Sequence, residues 1–178
     1  TYNFQDATKA YQLILEKQEP FIGIVLKYDS GKELKTTVHL REHKADPASP
    51  AIGLIGAGGF GQNFLLPAMK GKGQFVSVAT ARPHNARNIA DKYGFSSCTG
   101  NADEVVSNPA INTVFIATRH DSHAEYVLKA LAQKKNVFVE KPLCLREEEL
   151  EGIRKAYAGS GSLLMVGFNR RFAPFVTK

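Results

Sequence analysis

Cysteine is scarce: two residues in 178, Cys98 and Cys144, far apart and outside any C-x-x-C or Cys/His spacing that holds zinc. No metal site is therefore expected. Each cysteine reads as a reduced, buried, small apolar residue, which suits a reducing compartment. Also missing is any apolar run near the roughly 18 residues of a membrane span, or the basic-then-apolar opening of a signal peptide. The expectation is a cytoplasmic chain with no membrane partner. Charge does not concentrate either. The 23 basic and 17 acidic residues, formally +6, are scattered, without a block of five like charges or a basic helix stripe interleaved with aromatics. Nucleic acid is accordingly not expected as a partner. The chain opens at Thr1 rather than at methionine, which leads us to expect a piece of something longer.

What is present divides into two unequal parts. A chain of this length with 43% hydrophobic residues can bury one good core. In residues 1–28, "FQDATKAYQLILEK" places Ala7, Ala10, Tyr11, Ile14 and Leu15 on one stripe of a helix, with Asn3 or Asp6 as cap. The apolar "PFIGIVLKY" that follows has strand length. A helix and a strand cannot make a core alone. Residues 29–50, rich in Lys, Glu, Ser and Pro, read as a linker with at most one short strand at "LKTTVHL".

From residue 51 to 178 the pattern alternates. Strand-like runs at "AIGLIG", "FVSVAT", "NTVFIAT", "NVFVE" and "LLMVGF" are separated by amphipathic helical stretches. Near-continuous Val/Ile/Phe runs between such helices are what a parallel sheet covered on both faces requires. The fold class is α/β, a doubly wound parallel sheet carrying a short helix-strand appendage.

The stretch "IGLIGAGGFGQN" holds G-x-G-x-x-G at Gly56, Gly58 and Gly61, with Gly59 and Phe60 inside the same turn. Glycines there permit a tight strand-to-helix reversal, an unobstructed approach of backbone N–H groups to a diphosphate, and close packing of helix on strand. The helix start adds unpaired donors and a partial positive charge. A glycine-rich turn without ligand is the alternative, but the strand before, the helix after and the alternation beyond agree on nucleotide binding. At the end of the second strand, where an acid would accept both ribose hydroxyls of NAD, the sequence is "VATARPHNAR". Thr80, Ala81 and Arg82 occupy that place and Asp91 lies too far on. Without a carboxylate to repel it, a 2′-phosphate is tolerated, and Arg82 can pair with it bidentately. The expected cofactor is NAD or NADP, with NADP favoured; the other reading of Arg82 is a solvated arginine.

Three further stretches, "IATRHDSHAEYVLKAL", "NVFVEKPLCL" and "GSLLMVGFNRRFAPF", together with "GLIGAGGFG", resemble the N-terminal domain of the glucose-fructose oxidoreductase, inositol dehydrogenase and rhizopine-catabolism family of NAD(P)-dependent sugar oxidoreductases. The resemblance covers residues 51–178 and implies the following. Lys141 matches the signature lysine beside the nicotinamide and the substrate hydroxyl, Pro142 follows through a bond often cis, and Glu140 orients the lysine. His123 matches a histidine opening a helix near the cofactor, its alternative being a surface residue at a helix start. Thr118 falls where the backbone runs under the nicotinamide ribose, and Asn169 and Arg170 where the chain leaves for a substrate domain. Strand carboxyl ends share one edge of a parallel sheet, so Gly56, Thr80, Thr118, Lys141 and Asn169 are expected to converge on one crevice. A partly desolvated lysine there suits acid/base work.

Family members continue into a second domain that holds the substrate pocket, whereas this chain stops at Lys178; cofactor binding without turnover is expected. "YNFQDATKAYQLILEKQEPFIGIVLKYD" resembles the closing helix and strand of zinc-type medium-chain alcohol dehydrogenases, which implies a two-part oxidoreductase. Cut from that parent, the apolar strand is expected to join the main sheet, pair with "LKTTVHL", or pair between two copies in a homodimer. Two function classes stand: the cofactor domain of an oxidoreductase acting on a sugar or nucleotide-sugar hydroxyl, and a non-catalytic module that senses NAD(P)H.

Overall fold

The computed structural model describes residues 1–17, 20–31, 36–43, 46 and 48–176. They form two units, Thr1–Lys35 and Thr36–Lys178.

In the first unit, β1 (Tyr2–Asn3) pairs in parallel with β2 (Leu26–Lys27), and a 3₁₀ turn at Phe4–Asp6 leads into α1 (Ala7–Glu16). The helix forms where its apolar stripe predicts it, yet neither Asn3 nor Asp6 caps through its side chain. Asp6 instead pairs with Lys9 at 2.9 Å, one turn on. Lys17 ends the helix in the left-handed region at φ 50°, its N–H donating to Leu13 O. Of the apolar run 20–28 only Leu26–Lys27 is strand, and its partner in the chain is Tyr2–Asn3 rather than the main sheet or Thr37–His39. Pro20 has no N–H to give a ladder and Gly23 has no side chain to pack, which shortens the strand. Phe4 stacks on Tyr28 with ring centroids 4.7 Å apart.

The second unit is built on seven strands: β3 (Thr37–His39), β4 (Ala51–Ile55), β5 (Gln74–Ala79), β6 (Ser97–Thr99), β7 (Thr113–Ile116), β8 (Asn136–Glu140) and β9 (Leu164–Gly167), in the order β3-β6-β5-β4-β7-β8-β9. Six run parallel, as expected of a doubly wound sheet. The edge strand β3 runs antiparallel to β6, so the sheet is mixed at that edge. β3 comes from the segment read as a linker; Leu34 and Lys35 of the predicted strand lie outside the described residues. β6 was not legible, because Ser97, Cys98 and Thr99 offer no branched apolar run. They are buried all the same: Ser97 Oγ donates to Val76 O at 3.2 Å and Thr99 Oγ1 to Glu104 at 2.7 Å. Cys98 is buried as expected, whereas Cys144 is only half-buried.

Two clusters of apolar side chains cover the sheet. On one face α4 (Ala102–Ser107), α5 (His123–Ala132) and α6 (Glu147–Ser160) set Val105, Val127, Leu131 and Ile153 against Ile55, Val114 and Val139. On the other, α3 (Pro83–Tyr93) and α2 (Leu66–Met69) set Ala86, Ile89 and Leu66 against Leu54 and Val78. β4, central to both layers, is buried at every residue. β7 and β8 alternate buried and half-buried residues, so only one of their faces is dry. Helix α4 lies so close to β4 that a Cβ at Gly53 would sit 2.5 Å from Val105 and 2.8 Å from Ile111. Truncating a fully buried residue such as Leu66 to alanine is expected to cost about 2–5 kcal/mol.

At the β3 edge, the Glu104 carboxylate accepts hydroxyl donors from Thr36, Thr37 and Thr99. Burial pushes that carboxyl up, but the three hydroxyls outweigh it and hold it below the ordinary range. Among the described residues no helix is long and apolar enough to cross a membrane.

Candidate functional site

Strand register fixes where the loops emerge. Ile55 pairs with Ala79 and with Ile116, Ala79 with Thr99, Ile116 with Val139, and Glu140 with Gly167. One step on, Gly56, Thr80, Gly100 and Ala117 stand level with Glu140 along a single rim. A crevice of about 760 Å³ opens there over β4, β5, β6 and β7. It is within the range of small-molecule sites.

Gly56 holds the turn. Its φ is +81°, and a Cβ would lie 2.6 Å from Ala117 O and 2.8 Å from Thr118 N, so no other residue lets the two loops approach this closely. Its N–H donates to Ala79 O at 2.9 Å. Gly58 and Gly59 differ: a Cβ on either would meet nothing within 4 Å. Gly61 is buried, and its Cβ would make only an ordinary contact, 3.8 Å from Gly56 O. The three motif glycines thus have three different reasons.

The helix that follows widens into a π turn at Gly61–Leu65 before running into α2. Leu66 N–H reaches back to Gly61 O. Pro67 has no N–H, so the Gln62 carbonyl is left without a helical donor. Tyr93 of α3 supplies it, its hydroxyl donating to Gln62 O at 2.6 Å. Gln62 in turn ties the turn together, N–H to Gly58 O at 3.0 Å and Nε2 to Ala57 O at 2.8 Å. The amides ahead of Gln62 therefore begin a helix and have no carbonyl one turn back inside it. Phe60 and Phe64 stack on the outside of this turn, 5.5 Å between centroids.

On the β5 side Thr80 Oγ1 donates to Arg82 O at 2.7 Å, shaping the exit from the strand. Arg82 is exposed, and among the described residues no carboxylate pairs with it. Asp91 is engaged elsewhere, 2.8 Å from Arg87. On the β7 side Ser122 Oγ donates to Thr118 Oγ1 at 2.7 Å and lies 2.9 Å from Arg119 O.

Beyond β8 the chain turns through a cis peptide between Lys141 and Pro142. Lys141 is exposed. Glu140 accepts the Lys141 backbone N–H, and burial pushes its carboxyl above the ordinary value, with that N–H, the Lys141 ammonium and the His123 ring pulling the other way. The carboxylate lies along β9: a Cβ at Gly167 would come 2.9 Å from Glu140 Oε1 and 3.0 Å from the Phe138 ring. His123 is fully buried at the start of α5, Nδ1 2.6 Å from Pro142 O and Nε2 3.2 Å from Thr118 O. It is not a surface residue.

Of the candidates read from the sequence, Gly56, Gly58, Thr80, Arg82 and Thr118 line the crevice. Gly59, Phe60 and Gly61 form the adjoining helical turn, while His123, Glu140 and Lys141 stand beside the crevice rather than in its lining. Asn169 and Arg170 are exposed in a 3₁₀ turn after β9. Sequence reading missed Asn85, Gly100, Asp121, Ser122 and Tyr126 of the lining. Gly100 follows the unrecognised strand β6, so finding that strand is the signal that would have pointed to it.

The described residues hold no cluster of three or more potential metal ligands. The donor set fits a dinucleotide instead: open space over Gly58, helix-start amides, hydroxyls and an unpaired guanidinium along one crevice. A family model described as an oxidoreductase family with an NAD-binding Rossmann fold matches residues 51–168. Inositol 2-dehydrogenase of Rhizobium meliloti (strain 1021) is 37% identical over 125 residues, 69% of this chain and 37% of that protein. The scyllo-inositol 2-dehydrogenase (NAD(+)) of Bacillus subtilis (strain 168) is 31% identical over 133 residues, 75% of this chain and 38% of that protein. Among solved structures, levoglucosan dehydrogenase in complex with NADH and levoglucosan superposes with a TM-score of 0.66 at 31% identity, covering 72% of this chain and 37% of its own. The chain thus spans well under half the length of the relatives it matches.

Proposed function

The chain belongs to the oxidoreductase family with an NAD-binding Rossmann fold (Gfo/Idh/MocA), and from that membership we propose that it is the cofactor half of an enzyme moving a hydride between a nicotinamide dinucleotide and a sugar or nucleotide-sugar hydroxyl. The observation that carries this reading is the register, which sets the Gly56 turn and the Glu140–Lys141 turn on one rim. When bound, the nicotinamide supplies the hydride acceptor or donor. Every other part of the reaction falls to the protein's own groups. Helix-start amides at Gly59, Phe60 and Gly61 face the diphosphate, where aligned N–H dipoles favour an anion. Arg82, which no carboxylate among the described residues pairs with, takes a 2′-phosphate, so NADP binds more tightly than NAD. Thr118 supports the nicotinamide ribose. Lys141 Nζ holds the substrate hydroxyl and moves its proton, and Glu140 keeps that turn in place through the Lys141 N–H.

Relatives named for inositol and levoglucosan support a polyol or sugar substrate. Since this chain spans 37–38% of such proteins, we assign turnover to the longer protein and cofactor binding to this part. The resemblance of residues 1–28 to the tail of a zinc-type alcohol dehydrogenase supports a two-part parent. Fluorescence titration with NADPH and NADH tests the reading directly. Saturable binding of both, tighter for NADPH, is expected. No binding of either at millimolar concentration removes the oxidoreductase proposal, and tighter NADH binding removes only the Arg82 assignment.

A further inference from the structure

His123 has more to do than fill a core. It is 0% exposed, and among the largest fully buried side chains of the described residues it is the single polar one. Both its ring nitrogens face backbone carbonyls, and those carbonyls belong to neither its own helix nor each other's loop: Pro142 O at 2.6 Å and Thr118 O at 3.2 Å. Thr118 lines the crevice. Pro142 directly follows Lys141. The ring therefore spans the distance between the crevice wall and the turn that presents the lysine.

A histidine serving only the fold would satisfy its nitrogens on whatever acceptors lay near. Here the two acceptors sit on the two loops whose separation decides where Lys141 Nζ stands relative to a bound ribose. The shorter contact goes to the lysine turn, so the ring N–H is committed first to that side. Loss of the ring also takes the donor from the part-buried Pro142 carbonyl, which draws that turn toward other donors.

We propose that His123 is a positioning residue: a strut between the Thr118 and Pro142 carbonyls that sets Lys141 against the dinucleotide crevice. This rests on the reading of Lys141 given above. The geometry also says how the strut divides. An asparagine places its amide where Nδ1 lies and retains the Pro142 arm; a glutamine reaches the Nε2 position and retains the Thr118 arm; a leucine removes both.

The test reads Lys141 itself, without turnover. Lysine side chains are dimethylated with ¹³C-formaldehyde, the Lys141 signal is identified by its loss in Lys141→Arg, and NADH is added. In the unmutated chain the signal should shift on binding. In His123→Leu, NADH affinity should change by less than about tenfold while the Lys141 shift falls by more than half; His123→Asn should retain the shift and His123→Gln should lose it. An undiminished shift in His123→Leu overturns the strut alone. No shift in the unmutated chain, with NADH bound, overturns the Lys141 reading and the strut with it. Should the leucine variant not fold, the Asn and Gln variants decide: equal shifts in the two overturn the proposal.

Discussion

At the Gly56 turn after β4 the rim of the sheet is closed by backbone, and toward β8 and β9 it is tied by side chains. Gly56 meets Ala117 and Thr118 main chain to main chain, and Gly58 and Gly59 face open space. Across the rim, Glu140 lies over Gly167, Ser122 holds Thr118, and His123 joins Thr118 to Pro142. A diphosphate asks only for N–H groups aimed at one place, which glycines and a helix start provide. Placing one lysine against a reacting hydroxyl demands side chains locked by their neighbours. The two halves should therefore answer mutation differently.

The largest effect is expected at Gly56→Ala. The added Cβ meets backbone at 2.6 Å that cannot rotate away, at a φ of +81°, so a loss of about 3 kcal/mol or more is expected in urea unfolding. A variant as stable as the parent breaks the backbone half of the comparison. On the other half, Gly167→Ala pushes against the Glu140 carboxylate and the edge of Phe138. Side chains yield where backbone does not, so about 1–2 kcal/mol is expected, together with a displaced Lys141 turn visible in amide chemical shifts. A smaller change is expected at Arg82→Ala. The side chain is exposed, so folding should be unaffected while NADPH binding weakens by about tenfold and NADH binding by little; parallel weakening of both would assign Arg82 to something other than the 2′-phosphate.

The smallest effect is the pH dependence that Glu140 contributes on the lysine side, opposite in sign to that of Glu104 at the β3 edge. Burial holds the Glu140 carboxyl above its ordinary 4.5, so the folded chain keeps that proton at pH values where the unfolded chain has released it. Over that window the folded state binds more protons, and stability falls as pH rises. In Glu140→Gln the fall should disappear from unfolding curves taken between pH 4 and 7. An unchanged slope would place its origin elsewhere.

The same division explains what could be read from residues alone. The Gly56–Gly61 turn was legible because a backbone requirement leaves a glycine signature, and the strands β4, β7 and β8 because burial leaves an apolar one. β6 escaped because Ser97 and Thr99 are buried through hydroxyl bonds to Val76 O and Glu104. The antiparallel edge of β3 escaped for a similar reason, being held by threonines on the Glu104 carboxylate rather than by apolar periodicity. The stretch around Pro67 read as plain helix, and nothing in it showed that Tyr93 would supply the donor that the Gln62 carbonyl lacks. His123 at a helix start suggested a surface or a ligand contact equally; only the fold brings Pro142, nineteen residues on, to its ring.

Gly58 offers the most direct trial of the claim that this turn receives a dinucleotide. Among the described residues nothing beyond its chain neighbours lies within 4 Å of a Cβ placed there, so the added methyl is to be felt by a ligand. Gly58→Ala and the parent chain should melt within about 2 °C of one another, while NADH titration should show affinity lowered by about tenfold or more. Equal affinity at equal melting temperature would mean that the diphosphate does not lie over this turn.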